Sequence, residues 1–173
     1  MGSTHSFIGL DYNKKTIKWA KTYFQEIDLK LNDLYPPLPL KNTSVDVLYC
    51  ISVFTHLSED LFRAYVKDIY RSLKKGGIII FTLHGDRNSK LLLSSELKQY
   101  KKGKFVVRDG VEEGKRIFAS YHPKHFVLDA FKDFTLLKHD TKTECIEFQQ
   151  DWWYLKSKYL DYLSSTFVSD APM

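Results

Sequence analysis

The chain predicts an α/β domain built on a largely parallel sheet. Three observations carry that prediction. Short apolar runs alternate with segments of helical period in the order strand, helix, strand, strand, helix, strand. Residues 78–83 are apolar almost throughout, as in a central strand covered on both faces. The 173 residues are 43% hydrophobic and 15% aromatic, enough for one core in one domain, with charged and apolar residues mixed along the whole length.

Residues 7–10 form a short apolar run that ends in Asp11, which suits a buried parallel strand with a carboxylate at its C-terminal tip. Asn13 is placed to cap a helix whose apolar residues Ile17, Ala20, Tyr23 and Phe24 recur at helical spacing. Ile27, Leu29 and Leu31 then alternate with polar residues, a second strand. Pro36, Pro37 and Pro39 mark a loop, since proline continues neither helix nor sheet. Residues 45–51 are the next strand and residues 52–57 the loop beyond it.

Ser58 caps a second helix, with Glu59 and Asp60 in the first turn, where the helix dipole favours acids. Leu61, Tyr65, Ile69 and Leu73 are its buried stripe, Arg63, Lys67 and Lys74 its wet side, and Gly76-Gly77 its end. After the central strand, residues 85–115 look like an insertion, with a helix near residues 94–100. A strand at 117–121, a helix at 123–131, a strand at 134–139 and an aromatic-rich strand at 144–155 complete a domain spanning residues 7–155. The tail, 156–173, is partly helical at most.

No apolar run is long enough to cross a bilayer, and the start shows neither the basic nor the apolar region of a secretory signal. Cys50 and Cys145 form no metal-ligand spacing or disulfide framework and read as buried thiols, so the expected compartment is the cytoplasm. The formal net charge is +5, with Lys98, Lys101, Lys102 and Lys104 close together. Without an aromatic ladder or base-reading motif, a solvated face is favoured over nucleic-acid binding. The histidines show no ligand pair at i and i+4 or beside a cysteine, so no metal is expected.

In open α/β sheets ligands sit beyond the C-terminal ends of the strands. Asp11 occupies such an end, where a carboxylate can accept hydrogen bonds from both hydroxyls of a ribose or serve merely as a helix cap. Five segments stand in a telling order: Gly9-Leu10-Asp11-Tyr12; Asn32-Asp33-Leu34-Tyr35-Pro36-Pro37-Leu38-Pro39-Leu40; Ser44-Val45-Asp46-Val47-Leu48-Tyr49; Ser52-Val53-Phe54-Thr55-His56-Leu57; and Leu73-Lys74-Lys75-Gly76-Gly77. Together they resemble the class I methyltransferases that use S-adenosylmethionine, of the type 11 and type 25 kind. The branch often found beside sugar-transferring enzymes is the most similar, and Ala119-Ser120-Tyr121-His122-Pro123 and Gln150-Asp151-Trp152-Trp153 also look like it.

The resemblance implies a Rossmann-like sheet, mostly parallel with an antiparallel C-terminal strand, and S-adenosylmethionine as cofactor. It implies that Asp11 holds the ribose hydroxyls and that Tyr12 packs on the adenine. Asn32 and Asp33 would grip the adenine edge, and Ser52 and Val53 would lie near the sulfonium and the methionine portion. His84 and His122 would face a small-molecule or glycan acceptor, as candidate general bases, because imidazole titrates near neutrality. His56, in a loop leading to a helix, is expected to make a structural hydrogen bond. Trp152 and Trp153 point to opposite sheet faces, so at least one belongs to the core.

The sequence departs from that family at its start. Only six residues precede Phe7, and neither Gly2 nor Gly9 belongs to a Gly-x-Gly turn, so the family's first strand and glycine-rich loop are expected to be missing. That strand lies mid-sheet, and its loss would leave a gap of about two strand spacings, roughly 9–10 Å, unless its neighbours closed up. Unpaired backbone and open apolar edges would follow. Three readings stand open: a chain cut short, a sheet completed by a second copy or a partner chain, or a decayed domain that serves as a protein-binding partner without catalysis.

Overall fold

A computed structural model describes residues 5–108, 113–114, 117–141 and 150–158. Its order is β1 (Phe7–Asp11), α1 (Lys14–Tyr23), β2 (Ile27–Leu31), β3 (Val45–Cys50), α2 (Glu59–Ser72), β4 (Leu73–Leu83), α3 (Ser94–Lys101), β5 (Val106–Arg108), β6 (Ala119–Tyr121), α4 (Lys124–Ala130), β7 (Phe134–Asp140) and β8 (Asp151–Ser157). Short 3-10 turns cover Phe54–His56 and Asp86–Leu91. The expected strand at 144–155 is observed from Asp151, and residues 144–149, Cys145 among them, lie outside the described residues. Residues 159–173 of the expected tail lie outside them as well.

The helix starts follow the sequence. Asn13 accepts from the backbone N–H groups of Lys15 and Thr16 at 2.9 and 3.4 Å, and the Ser58 hydroxyl accepts from that of Leu61 at 3.3 Å. The end of α2 differs from expectation. It stops at Ser72, and the chain enters β4 at once, so Gly76 (φ 72°) lies inside the strand as a bulge. The pairing with β3 skips there, from Val45 opposite Leu73 to Val47 opposite Ile78.

The sheet is divided. β1 and β2 pair in parallel as one unit; β3, β4, β8 and β7 form another in that order, with β3–β4 parallel and β8 antiparallel to both neighbours. β5 and β6 make a separate antiparallel pair. Among the described residues β1 hydrogen-bonds to no strand but β2, and β3 to none but β4, so these two edges have not closed on each other.

The main core lies against one face of the four-stranded sheet. Leu61, Phe62, Val66 and Ile69 of α2 and Phe126 and Val127 of α4 pack on Ile79, Phe81, Leu83, Trp153 and Leu155. The Trp expectation holds: Trp153 is buried there and Trp152, on the opposite face, is half-buried. β1 is not the buried strand expected, because one edge is open; Phe7 is 59% exposed. On α1 only Ile17 and Ala20 are buried, whereas Tyr23 and Phe24 lie open beside Trp19.

The 32–44 loop straps β2 to α2. Tyr65 Oη donates to Leu34 O (2.9 Å), Leu38 N to Asp68 Oδ2 (2.7 Å), and the Arg71 guanidinium to Leu40 O (2.8 Å). Asp68 in turn holds Arg71 at 2.7 Å, a charge-assisted bond beside a nearly buried carboxylate. Among the described residues no helix is long and apolar enough to cross a membrane.

Candidate functional site

The strand tips meet through one short relay. Asp11 ends β1, and Asn32, just past β2, donates its backbone N–H to Asp11 O at 3.2 Å. Tyr12 Oη donates to Gly114 O (2.6 Å), and Gly114 N donates to His56 O (2.9 Å) just beyond β3. The C-terminal ends of β1 and β3 therefore look onto the same side of the molecule. Gly114 (φ 78°) lies so close to Leu34 that an added Cβ would stand 2.7 Å from Cδ1 of Leu34.

Asp11 Oδ1 accepts from Asn13 N at 2.7 Å, and its other oxygen has no partner among the described residues. Thus one oxygen holds the turn into α1, whose cap is Asn13, and the other is left over at the strand tip. Tyr12 is pinned by its hydroxyl with its ring 44% exposed. Asn32 turns its side-chain amide onto Asp33 O (2.6 Å), and Asp33 itself is exposed.

At the tip of β3, Ser52 takes a left-handed conformation (φ 55°), uncommon for a residue other than glycine. A buried network holds it there. Ser52 N donates to Thr82 Oγ1 (2.9 Å), Thr82 Oγ1 donates to Gln150 Oε1 (2.5 Å), and Gln150 Nε2 donates to Ser52 Oγ (2.8 Å). Thr82 is near the end of β4 and Gln150 just before β8, so the antiparallel β4–β8 pairing closes this ring of bonds. Val53 follows, 45% exposed.

His84, one residue past β4, is half-buried. Its Nδ1 lies 3.2 Å from Ser120 O and its Nε2 lies 3.5 Å from Gln150 Nε2. Burial lowers its pKa, with the Ser120 carbonyl opposing and His56 and Arg108 adding to the fall, so the ring is neutral at pH 7.

His122 does not face an acceptor. It is fully buried among Phe62, Phe105 and Phe126, and burial pushes its imidazole down to about 3. It has no open side on which to take a substrate proton. The cause is the β5–β6 hairpin and α4, which fold the 118–126 segment against α2. His56 makes the expected structural bond, Nδ1 to Phe118 O at 2.8 Å.

Sequence reasoning gave no role to a second polar group here. Asp151, 1% exposed, receives His139 Nε2 at 3.1 Å and Asp86 N at 3.2 Å. His139 stacks on Trp153 with ring centroids 3.8 Å apart. Gly85 makes room for this carboxylate, since a Cβ there would stand 2.1 Å from its Oδ2. The segment Gln150-Asp151 was visible as a motif, but its partners lie 65 or more residues away in sequence for Ser52, Thr82 and Asp86. Among the described residues no three His, Cys, Asp or Glu side chains gather as metal ligands.

Comparison with known proteins agrees with this architecture. A family model described as a methyltransferase domain matches residues 1–81. A probable S-adenosylmethionine-dependent methyltransferase of Mycolicibacterium smegmatis is 32% identical over 73 residues, which is 42% of this chain and 27% of that protein. The chain thus spans about a quarter of the curated relative it matches.

Among solved structures, an S-adenosylmethionine-dependent methyltransferase from Methanosarcina mazei superposes with a TM-score of 0.66 at 18% identity, covering 90% of this chain and 83% of its own. A putative one from Listeria monocytogenes gives 0.68 at 11% identity, covering 89% and 81%. A putative methyltransferase of Haloferax volcanii, solved in complex with the activator Trm112, gives 0.64 at 12%, covering 89% and 73%. The fold is that of the S-adenosylmethionine-dependent methyltransferases, and the resemblance read from the sequence is borne out.

Proposed function

We propose that this chain, with the fold of the S-adenosylmethionine-dependent methyltransferases, serves methyl transfer from that cofactor to a small-molecule or glycan acceptor. The observation that carries the proposal is the oxygen of Asp11 left without a partner among the described residues, at a parallel strand tip, beside Asn32 and on the same side as Ser52. The donor set fits the adenosine half of the cofactor: a carboxylate oxygen for ribose hydroxyls and the exposed, pinned ring of Tyr12 as a flat apolar wall. Asn32, Asp33, Ser52 and Val53 supply polar and apolar edges around it.

When bound, S-adenosylmethionine would supply an electrophilic methyl group on a sulfonium. The chain's part is orientation and exclusion of water, the source of rate when little acid–base chemistry is needed. His84, half-buried and kept neutral by burial, stays the candidate base in place of the fully buried His122, with the 3.5 Å contact of its Nε2 to Gln150 to be exchanged for the acceptor. A base is needed only for a hydroxyl acceptor; an amine or thiolate requires none.

Calorimetry of the purified chain with S-adenosylmethionine tests the proposal. Binding that falls at least tenfold in Asp11→Ala is expected, the size of a lost charged hydrogen-bond pair. No binding at millimolar ligand would refute a cofactor role for this polypeptide acting alone.

The edges of β1 and β3 that pair with no strand among the described residues favour a second reading, a partner or second copy that adds a strand there and completes the sheet. Light scattering then reports an oligomer or complex. A monodisperse monomer argues against it.

A further inference from the structure

The donor–acceptor arithmetic around Gln150 has one solution. The Ser120 carbonyl can only accept, so Nδ1 of His84 carries its proton, and in the neutral ring Nε2 is a bare lone pair. The Gln150 atom facing that lone pair must therefore be its amide nitrogen. This orients Oε1 towards Thr82, whose hydroxyl donates to it while accepting from Ser52 N. The second amide hydrogen of Gln150 goes to Ser52 Oγ. One hydroxyl proton is then left without an acceptor among these groups, that of Ser52.

We propose that Gln150 is the positioning residue of this site: its amide holds His84 in the Nδ1–H form and turns the Ser52 hydroxyl proton outward, as a donor to a ligand oxygen beyond the tip of β3. The assignment rests on the methyl-transfer proposal for the identity of that ligand, S-adenosylmethionine, whose carboxylate is the acceptor of matching chemistry. The left-handed turn at Ser52 belongs to the same device, since Thr82 and Gln150 together hold a backbone conformation that serine rarely adopts. The other groups facing His84 are His56 beyond β3, Arg108 of β5, the Tyr121 ring of β6 at 5.3 Å, and His122, whose backbone N–H donates to His84 O. None of them offers Nε2 a hydrogen bond.

Two measurements test it. In the first, ring nitrogen-15 NMR of His84 needs no cofactor. The wild-type chain should show the Nδ1–H form at pH 7. Gln150→Glu, which can accept but not donate when ionised, should draw a proton onto Nε2 and move the His84 titration up by a pH unit or more. A wild-type Nε2–H form, or an unmoved titration in Gln150→Glu, overturns the proposal.

The second is calorimetry with S-adenosylmethionine and with 5′-methylthioadenosine, which lacks the carboxylate. Ser52→Ala and Gln150→Glu should each weaken the first by about tenfold and leave the second nearly unchanged. The double variant should lose no more than either single one, because both remove the same donor. Additive losses, or equal losses for both ligands, overturn the outward-donor role. If no variant binds either ligand, the methyl-transfer proposal fails, and the NMR result alone still decides whether Gln150 holds His84.

Discussion

β1–β2 and β3–β4 are both parallel pairs joined across a helix or its equivalent, yet they differ in nearly everything that stabilises them. In β4, Ile79, Phe81 and Leu83 are completely buried, because α2 and α4 cover one face and β8 extends the sheet. In β1, Phe7 and Ile8 are adjacent and both largely open, although they point to opposite faces. β3 is intermediate: Val47 and Tyr49 are 52% and 72% exposed, although their neighbour Leu48 packs against the core. Backbone pairing alone therefore builds no core; a strand becomes interior only when both edges and at least one face are covered.

The sharpest break of this comparison is a pair of truncations. Trp153→Ala should destabilise the chain by roughly 3–5 kcal/mol in urea unfolding, since the ring is buried between Phe81 and His139. Phe7→Ala on the open strand should cost under about 1 kcal/mol. Equal losses would mean that β1 is covered in solution.

Acid comes next. The folded chain keeps His122 neutral down to about 3, while the unfolded chain takes a proton at about 6.5. The unfolded state thus binds more protons below that point, and stability falls as pH drops from 6.5 towards 3. The loss should be roughly 3 kcal/mol by pH 4.5, two pH units below the unfolded value at about 1.4 kcal/mol for each. His122→Phe should flatten this limb of the unfolding midpoint against pH. A limb that survives unchanged would trace the acid sensitivity to another group.

The smallest expected effect concerns the cap of α1. Asn13→Ala should lower stability by about 1 kcal/mol if α1 unfolds with the main core. If β1, α1 and β2 open on their own, hydrogen exchange in residues 7–31 should quicken while the global midpoint stays put.

Much of the fold was legible because it depends on local chemistry. Asn13 and Ser58 capped helices where their side chains dictated, and the apolar run at 78–83 became the most buried strand. Gly76-Gly77 was misjudged for a local reason too. Leu73 satisfies the helical stripe but also begins the strand, and only the bulge opposite Val45 and Val47 separates the two roles. Tyr23 and Phe24 fit a helical period yet face open space, since periodicity reports what could be buried and not whether a partner is there to bury it.

At the candidate site, Asp11 was picked out by its position at a strand tip and Ser52 by the family resemblance. Gln150, Thr82 and the His139–Asp151 pair escaped because their roles arise from contacts between β4, β7 and β8. His122 was assigned an acceptor-facing role from its place in a motif, and aromatic packing from α2 and α4 removed it.

By itself the sequence determined the α/β class, the order of elements, the caps and the carboxylate at the first strand tip, all consequences of spacing within a few residues. Tertiary structure alone decided that the sheet stands in two units, that His122 is interior while His84 is half-buried, and that Gln150 lies against Ser52, Thr82 and His84. Those outcomes depend on which distant strands pair and which faces find a cover, and no local spacing encodes that.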